Sequence, residues 1–340
     1  MAELSLPARW YHDPEALERE RRAIFGGTWL FAGFDAELRE PGDYLATELA
    51  GWPVVLIVDD EGKLRGHHNA CRHRAGPLVP FGSSGRVPSL VCRYHGWAYG
   101  LDGELRSARD FGEACDGIAL VPVRVEVWRG LVFVDLDLDL DHGRAVSLLD
   151  ELGDFADACA SFPIESFTPV RHTEHDLECD WKTYGDNYLE GYHIPLVHPG
   201  LNKEIDAKQY RVDVHHAHRW VEHSAPARDG AVNLGRWLWR WPNLALNLYP
   251  GGMNVERWEP LAAGRCRLRY SYAFAEQVSA DERDEVVRVS AEVTAEDAAI
   301  CEAVQRNLEA GVYDVGWLSP KHEQAVAAFQ GWIRDHLVAT

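Results

Sequence analysis

Two short segments pair a cysteine with a histidine: Cys71-Arg72-His73 and Cys92-Arg93-Tyr94-His95. Thiolates and imidazoles are soft-to-borderline donors, so these four side chains can close a metal site, either a structural zinc or an iron–sulfur cluster. Zinc fingers commonly draw their two cysteines from one segment and their two histidines from another. Here each segment supplies one of each, which suits a binuclear cluster with both thiolates on one iron and both imidazoles on the other. Further along, His193 and His198 stand five apart with Pro195 between them. Residues five apart on a continuous helix do not share a face, and Pro195 disfavours helical backbone at Ile194. The spacing predicts a helix ending near His193 and an irregular turn that brings His198 back. Two neutral imidazoles converging there can bind Fe(II) if a carboxylate joins them.

The elements that must position these groups are legible from periodicity. Val286, Val289, Val293, Ile300, Val304 and Leu308 recur at steps of three and four and predict a helix with that stripe buried. Ser279 and Glu282 have the spacing of a capping box at its start. Asp297 falls within the stripe, where a carboxylate is costly unless it meets a cation; Glu296, one step round, is expected to point away. Glu190 precedes His193 by three residues, one turn back on the same helix face. Residues 13 to 25 predict another helix, with Asp13 as cap and Pro14 in the first turn. From about Pro41 to Asp137 the pattern is β-like. PVVLIVDDEGKLRGHHNA holds two runs around a turn, LVCRYHGWAYGLDGELR repeats the arrangement, and GLVFVDLDLDL ends in strict alternation. Both Cys/His pairs lie on loops beside these hairpins. Strand-like runs return between about Thr168 and Glu276. There Trp237, Trp239 and Trp241 alternate, so a strand would put all three indoles on one face, as sheet core or as the wall of an aromatic-lined pocket.

Of 340 residues, 46% are hydrophobic and 26% charged, a globular composition, with a formal net charge of -20. Such acidity repels phosphate backbones and anionic lipid, which excludes nucleic-acid and membrane partners and suits docking to a basic protein. No apolar segment resembles a signal peptide or membrane span, so a cytoplasmic location is expected. The seven cysteines form no disulfide pattern; Cys115, Cys159, Cys179, Cys266 and Cys301 read as small buried apolar residues.

Cys71-x-His73 and Cys92-x-x-His95-Gly96-Trp97 closely resemble the [2Fe–2S] motif of the Rieske non-haem iron oxygenases, with a slightly longer intervening stretch. The segment DWKTYGDNYLEGYHIPLVHPGL resembles the mononuclear-iron motif of the same family, and EDAAICEAVQRNL the segment carrying its ligand Asp. The resemblance implies an α+β protein: an N-terminal helical segment over 1–40, a small antiparallel-β Rieske domain over 41–140, and a catalytic domain over 141–340. The last would be a helix-grip (START-like) domain with a curved antiparallel sheet and a long C-terminal helix. Cys71 and Cys92 would hold one cluster iron and His73 and His95 the other, with His193, His198 and Asp297 on the mononuclear iron. Glu190 would link His193 to His95 of a neighbouring subunit in a head-to-tail trimer, and Glu at this position resembles the branch that oxidises quaternary ammonium compounds. The implied activity is O2-dependent hydroxylation or oxidative demethylation of a small organic substrate. Its electrons would come from NAD(P)H through a flavin reductase, a ferredoxin or both. The net charge and Glu190 tilt the substrate toward a cation; ring dihydroxylation, in aromatic hydrocarbon catabolism, is the alternative. A Rieske electron carrier without oxygenase activity would account for the first 140 residues alone.

Overall fold

The run WPVVLIV is apolar at consecutive positions, the pattern of a strand covered on both faces, and Val54 to Val58 are all buried. In the computed structural model, which describes residues 3–112, 116–136, 138, 146–226 and 235–338, this run belongs to a unit spanning Phe25–Glu151. Its strands are β1 (Leu30–Phe34), β2 (Asp43–Leu49), β3 (Trp52–Val58), β4 (Leu64–His68), β5 (Ser84–Arg86), β6 (Leu90–Val91), β7 (Ala98–Tyr99), β8 (Leu105–Ser107), β9 (Pro122–Trp128) and β10 (Leu131–Asp135). Seven form one antiparallel sheet in the order β1-β10-β9-β4-β3-β2-β5, and β6-β7-β8 form a second. The turn between β3 and β4 is held by Asp59, whose Oδ1 accepts from the amides of Glu61 and Lys63. Tyr44, Val55, Ile57, Leu90, Trp97 and Tyr99 pack into one core, and Cys71 and Cys92 are embedded in it. β1 falls within the stretch expected to be an N-terminal helical segment; its residues LFAGF are all buried and pair with β10. Cys115 and most of the alternating acidic run after Leu136 lie outside the described residues.

The other unit joins Met1–Ile24 to Leu152–Thr340. Its main strands are β11 (Thr168–Leu177), β12 (Arg211–His215), β13 (Trp220–Ser224), β14 (Arg236–Arg240), β15 (Leu244–Tyr249), β16 (Gly252–Ala262) and β17 (Arg265–Phe274). They make one seven-stranded antiparallel sheet, a meander from β12 to β17 with β11 added beside β17. The unit's longer helices are α1 (Pro14–Ala23), α2 (Trp181–Tyr188), α3 (Ala280–Glu309) and α4 (Gln324–Val338). Asp13 caps α1 through the amide of Glu15, and Ser279 and Glu282 form the expected capping box on α3. The three tryptophans divide their work. Trp239 stacks on Trp332 of α4 and meets Phe329 edge-on, and Trp241 packs against the same two rings. Trp237 instead lines a cavity. The expected cysteines Cys159, Cys179, Cys266 and Cys301 are buried.

Two expectations about helices are corrected. α2 ends at Tyr188, and His193 precedes a separate turn of helix, Ile194–Val197, that His198 terminates. Pro195 sits in the first turn of that helix, where its missing N–H costs nothing. Glu190 is therefore on the connecting loop rather than on a shared helix face. On α3 the buried stripe is Val287, Thr294, Asp297, Cys301, Gln305 and Leu308, while Ile300 and Val304 are 40% and 41% exposed. The stripe has rotated by about one position because its polar members are satisfied inside. Thr294 Oγ1 donates to Tyr270 Oη at 2.9 Å, and the Gln305 amide donates to Tyr11 O and accepts from Asp180 N, both at 3.0 Å.

α1 is tied to α2 through charge. Lys182, fully buried, places Nζ 2.8 Å from Glu20 and 2.5 Å from Asp180, both also buried. Burial pulls the ammonium pKa down, but the two carboxylates outweigh it and the net shift is upward. Lys182→Met would strand two carboxylates in the interior, and a loss of about 3–5 kcal/mol is expected, read as a lower denaturant midpoint.

Candidate metal centres and substrate cavity

The two Cys/His segments adopt the same turn. Cys71 N donates to Gly76 O and Cys92 N to Trp97 O, each at 2.9 Å, while the amides of Ala75 and Gly96 return to the cysteine carbonyls. Ala75 and Gly96 take positive φ, +53° and +77°. Both thiols point into the core, Cys71 Sγ lying 3.2 Å from Tyr99 Oη. Gly76 is required here, since a Cβ would lie 2.8 Å from Cys92 Sγ. The imidazoles lie outside: His73 is exposed, stacks on Trp97, and sits 4.6 Å from His95 centroid to centroid. Two buried sulfurs with two outward imidazoles fit a cluster with one iron inside and one near solvent.

His193, His198 and Asp297 converge, their ligand atoms all within 4.8 Å of one another. His193 Nδ1 lies 2.5 Å from Glu190 Oε1, and His198 Nδ1 lies 2.7 Å from Glu296 Oε2. An ionised carboxylate only accepts, so each Nδ1 carries its hydrogen and each Nε2 offers a lone pair. These Nε2 atoms face each other at 3.1 Å, and His198 Nε2 is 3.0 Å from Asp297 Oδ1. Three acceptors aimed at one point repel unless a cation sits among them. Imidazole ligands about 2.1 Å from a shared ion and at right angles stand about 3 Å apart, so the residues fit a metal. His198 agrees with that requirement: burial pulls its pKa down, yet Asp297 and Glu296 raise it overall, so this position favours positive charge.

Several functional groups were not foreseen. Glu296, expected to point away, is half-exposed and holds His198, because His198 approaches α3 from the side that Glu296 occupies. Asn187 Nδ2 donates to Asp297 Oδ1 at 2.6 Å and fixes that carboxylate; on sequence it is one polar residue among several on α2. The Glu190 carboxylate also accepts from the amides of Tyr192 and His193, so it fastens the loop as well as the ring.

Beside these groups lies a cavity of about 190 Å3 walled by the rings of Tyr184, Tyr188, Tyr210, Trp237, Tyr249 and Tyr270. Glu256, 2% exposed, also lines it and accepts a 2.6 Å hydrogen bond from Tyr184 Oη. Burial lifts the Glu256 carboxyl to about 7 against the pull of the Tyr184 and Tyr270 hydroxyls, and Asp297 raises it further. His223, on the same wall, is pushed down to about 3 by burial and by nearby His193, and stays neutral. 

Residues 28–123 match the model of the Rieske [2Fe-2S] domain, and residues 164–339 match that of the ring hydroxylating alpha subunit (catalytic domain). The chain is 30% identical to choline monooxygenase, chloroplastic, of Spinacia oleracea, over 97% of its own length and 78% of that protein's. It is 28% identical to the carnitine monooxygenase oxygenase subunit of Escherichia coli (strain K12), covering 91% and 85% of the two chains. The solved structure of a quaternary ammonium Rieske monooxygenase in complex with its substrate L-carnitine superposes with a TM-score of 0.85 at 26% identity, over 98% of this chain and 96% of that one. The chain belongs to the Rieske non-haem iron oxygenases, as a ring-hydroxylating alpha subunit. It is an oxygenase component served by a [2Fe–2S] cluster and a mononuclear iron, with electrons supplied through a separate reductase. The electron-carrier alternative falls, because the C-terminal residues it left unexplained are the catalytic domain.

The geometry separates the two neighbouring acids of α3. Asp297→Ala should cost one iron per chain and leave the cluster iron and sulfide in place. Glu296→Ala should keep all three irons when iron is plentiful but bind the mononuclear one about 10–100-fold more weakly. Iron and sulfide analysis after graded chelation distinguishes them.

Proposed function

We propose that the protein oxidises a quaternary ammonium compound, hydroxylating or demethylating it, with His193, His198 and Asp297 as the iron ligands and Cys71, His73, Cys92 and His95 as the cluster ligands. The observation that carries the substrate class is the cavity beside the three convergent donors. Its walls are aromatic faces, which attract a desolvated ammonium by up to about 2 kcal/mol, and a buried carboxylate, Glu256, stands among them. The two curated relatives described above agree, being named for choline and carnitine. The expected tie to aromatic hydrocarbon catabolism is therefore withdrawn.

When bound, the two iron centres supply electron transfer and O2 activation; the chain's own residues supply position and exclusion. Glu190 and Glu296 hold the imidazoles in the tautomer that leaves Nε2 free. Asn187 holds the Asp297 carboxylate. The ring wall keeps water from the reacting carbon and orients the ammonium. Glu190 has a second role in this reading, connecting His193 to His95 of a neighbouring subunit in a homotrimer. That fits the inter-subunit electron transfer described for a solved quaternary ammonium relative. The reductase side is a flavoprotein, alone or with a ferredoxin, using NAD(P)H. Among the described residues no helix is long and apolar enough to cross a membrane, and we assign the working location to the cytoplasm.

Three measurements test this. Purified protein should be red-brown and give a Rieske-type EPR signal on reduction; colourless protein with one zinc and no sulfide would end the reading. Choline, carnitine or glycine betaine should stimulate O2 uptake with a surrogate reductase, with matching product. Stimulation by aromatic acids alone would move the substrate to the other class. Glu190→Gln should keep both metal centres and the EPR signal, while substrate-dependent reoxidation of the reduced cluster slows by roughly tenfold or more.

A further inference from the structure

The cavity holds unmet polar groups that say more about its ligand than the aromatic wall does. Asn254 lines it, is 8% exposed, and its Oδ1 has no hydrogen-bond partner. His223, 1% exposed, spends Nδ1 on Tyr210 Oη at 2.9 Å, and its Nε2 has no partner. Leaving such atoms unpaired in the interior costs free energy, so a ligand that pairs them is favoured. Tyr249 Oη, on the same wall, is also without a partner and can give a hydrogen as well as take one, so the demand for a hydrogen from the ligand comes from Asn254. An amide oxygen only accepts, and so requires a donor from the ligand. A neutral imidazole nitrogen takes a donor or an acceptor according to its tautomer, and a hydroxyl meets either case. A ligand carboxylate has no hydrogen to give Asn254. It would also approach the buried Glu256 carboxyl, which has no cationic partner among the described residues, and once ionised that group repels another carboxylate at low dielectric.

We propose that the substrate is a net cation, a quaternary ammonium whose other end is a hydroxyl rather than a carboxylate, and that Glu256 and Asn254 select it. This rests on the quaternary ammonium reading above and narrows it. Glu256 faces the ammonium and is oriented by Tyr184, whose hydroxyl donates to it; Tyr184 is held in turn against Trp258. The high carboxyl pKa of Glu256 is consistent with a group that gains from an incoming cation. Asn254 takes the hydroxyl hydrogen, and His223 takes what the hydroxyl oxygen or a bridging water offers. Asn254 and Glu256 stand two apart on β16, so their side chains leave the same face of the sheet.

The test is calorimetric binding to the purified holoenzyme, without turnover, using three probes. Choline carries the ammonium and the hydroxyl. Glycine betaine carries the ammonium and a carboxylate. 3,3-Dimethylbutan-1-ol is the uncharged carbon isostere of choline. Choline should bind at least about tenfold more tightly than either of the others. Glycine betaine binding as tightly as choline, with the isostere weak, would overturn this inference and leave the quaternary ammonium reading standing. An isostere as tight as choline would overturn both. Asn254→Ala should weaken choline and leave glycine betaine unchanged, and Glu256→Gln should weaken choline with the iron content intact. If either variant, loaded with its normal iron, binds choline as the parent does, the selection is not made by that residue and the proposal fails.

Discussion

The proposed iron site depends on the pairing of two imidazoles with two carboxylates that lie outside the convergent donor set. An imidazole free to rotate presents either nitrogen; one whose Nδ1–H is spent on a carboxylate presents Nε2 only. Glu190 and Glu296 do this from opposite directions, one from the loop before His193 and one from the long helix behind His198. The helix α3 thus supplies both a proposed iron donor, Asp297, and the clamp on another, His198, from consecutive positions. Its phase on the sheet is consequently constrained to within a fraction of a turn.

That phase is set by hydrogen bonding as much as by hydrophobic burial. Gln305 and Thr294 are accepted inside because Asp180, Tyr11 and Tyr270 answer them. Gln305 bonds to the N-terminal cap residue of α2, Asp180, and Lys182, two residues on, gathers Glu20 from α1. The N-terminal segment, α2 and α3 are therefore joined by a chain of buried polar contacts. Apolar packing alone would tolerate sliding by a residue; a chain of directional bonds does not.

The sequence was most readable where chemistry and locality coincide. Cys71, His73, Cys92 and His95 announce a site because their types are rare together and their spacing is short. The capping box at Ser279 and the α1 cap at Asp13 are equally local. Asp297 was legible as a carboxylate in an apolar stripe, although the stripe itself was read one position out. Periodicity counts Ile300 and Val304 as inward, but it cannot register that Thr294 and Gln305 find partners far away in sequence. Glu296 was misjudged for the same reason: an acid beside the stripe reads as solvated until His198 is brought to it. Asn187, His223 and Glu256 carry no signal at all, since a buried polar residue is marked only by neighbours that the fold supplies. The end of α2 was misplaced because a proline can open a helical turn as readily as forbid one.

The order of strands has a consequence for how the protein is made. The two Cys/His turns lie within one stretch of chain, so their unit is complete once Glu151 has been synthesised. The other centre is different. β11 finds its partner only in β17, and His193 and His198 wait for Asp297 on α3. A nascent chain leaving the ribosome can thus close the two Cys/His turns before Asp297 has joined His193 and His198.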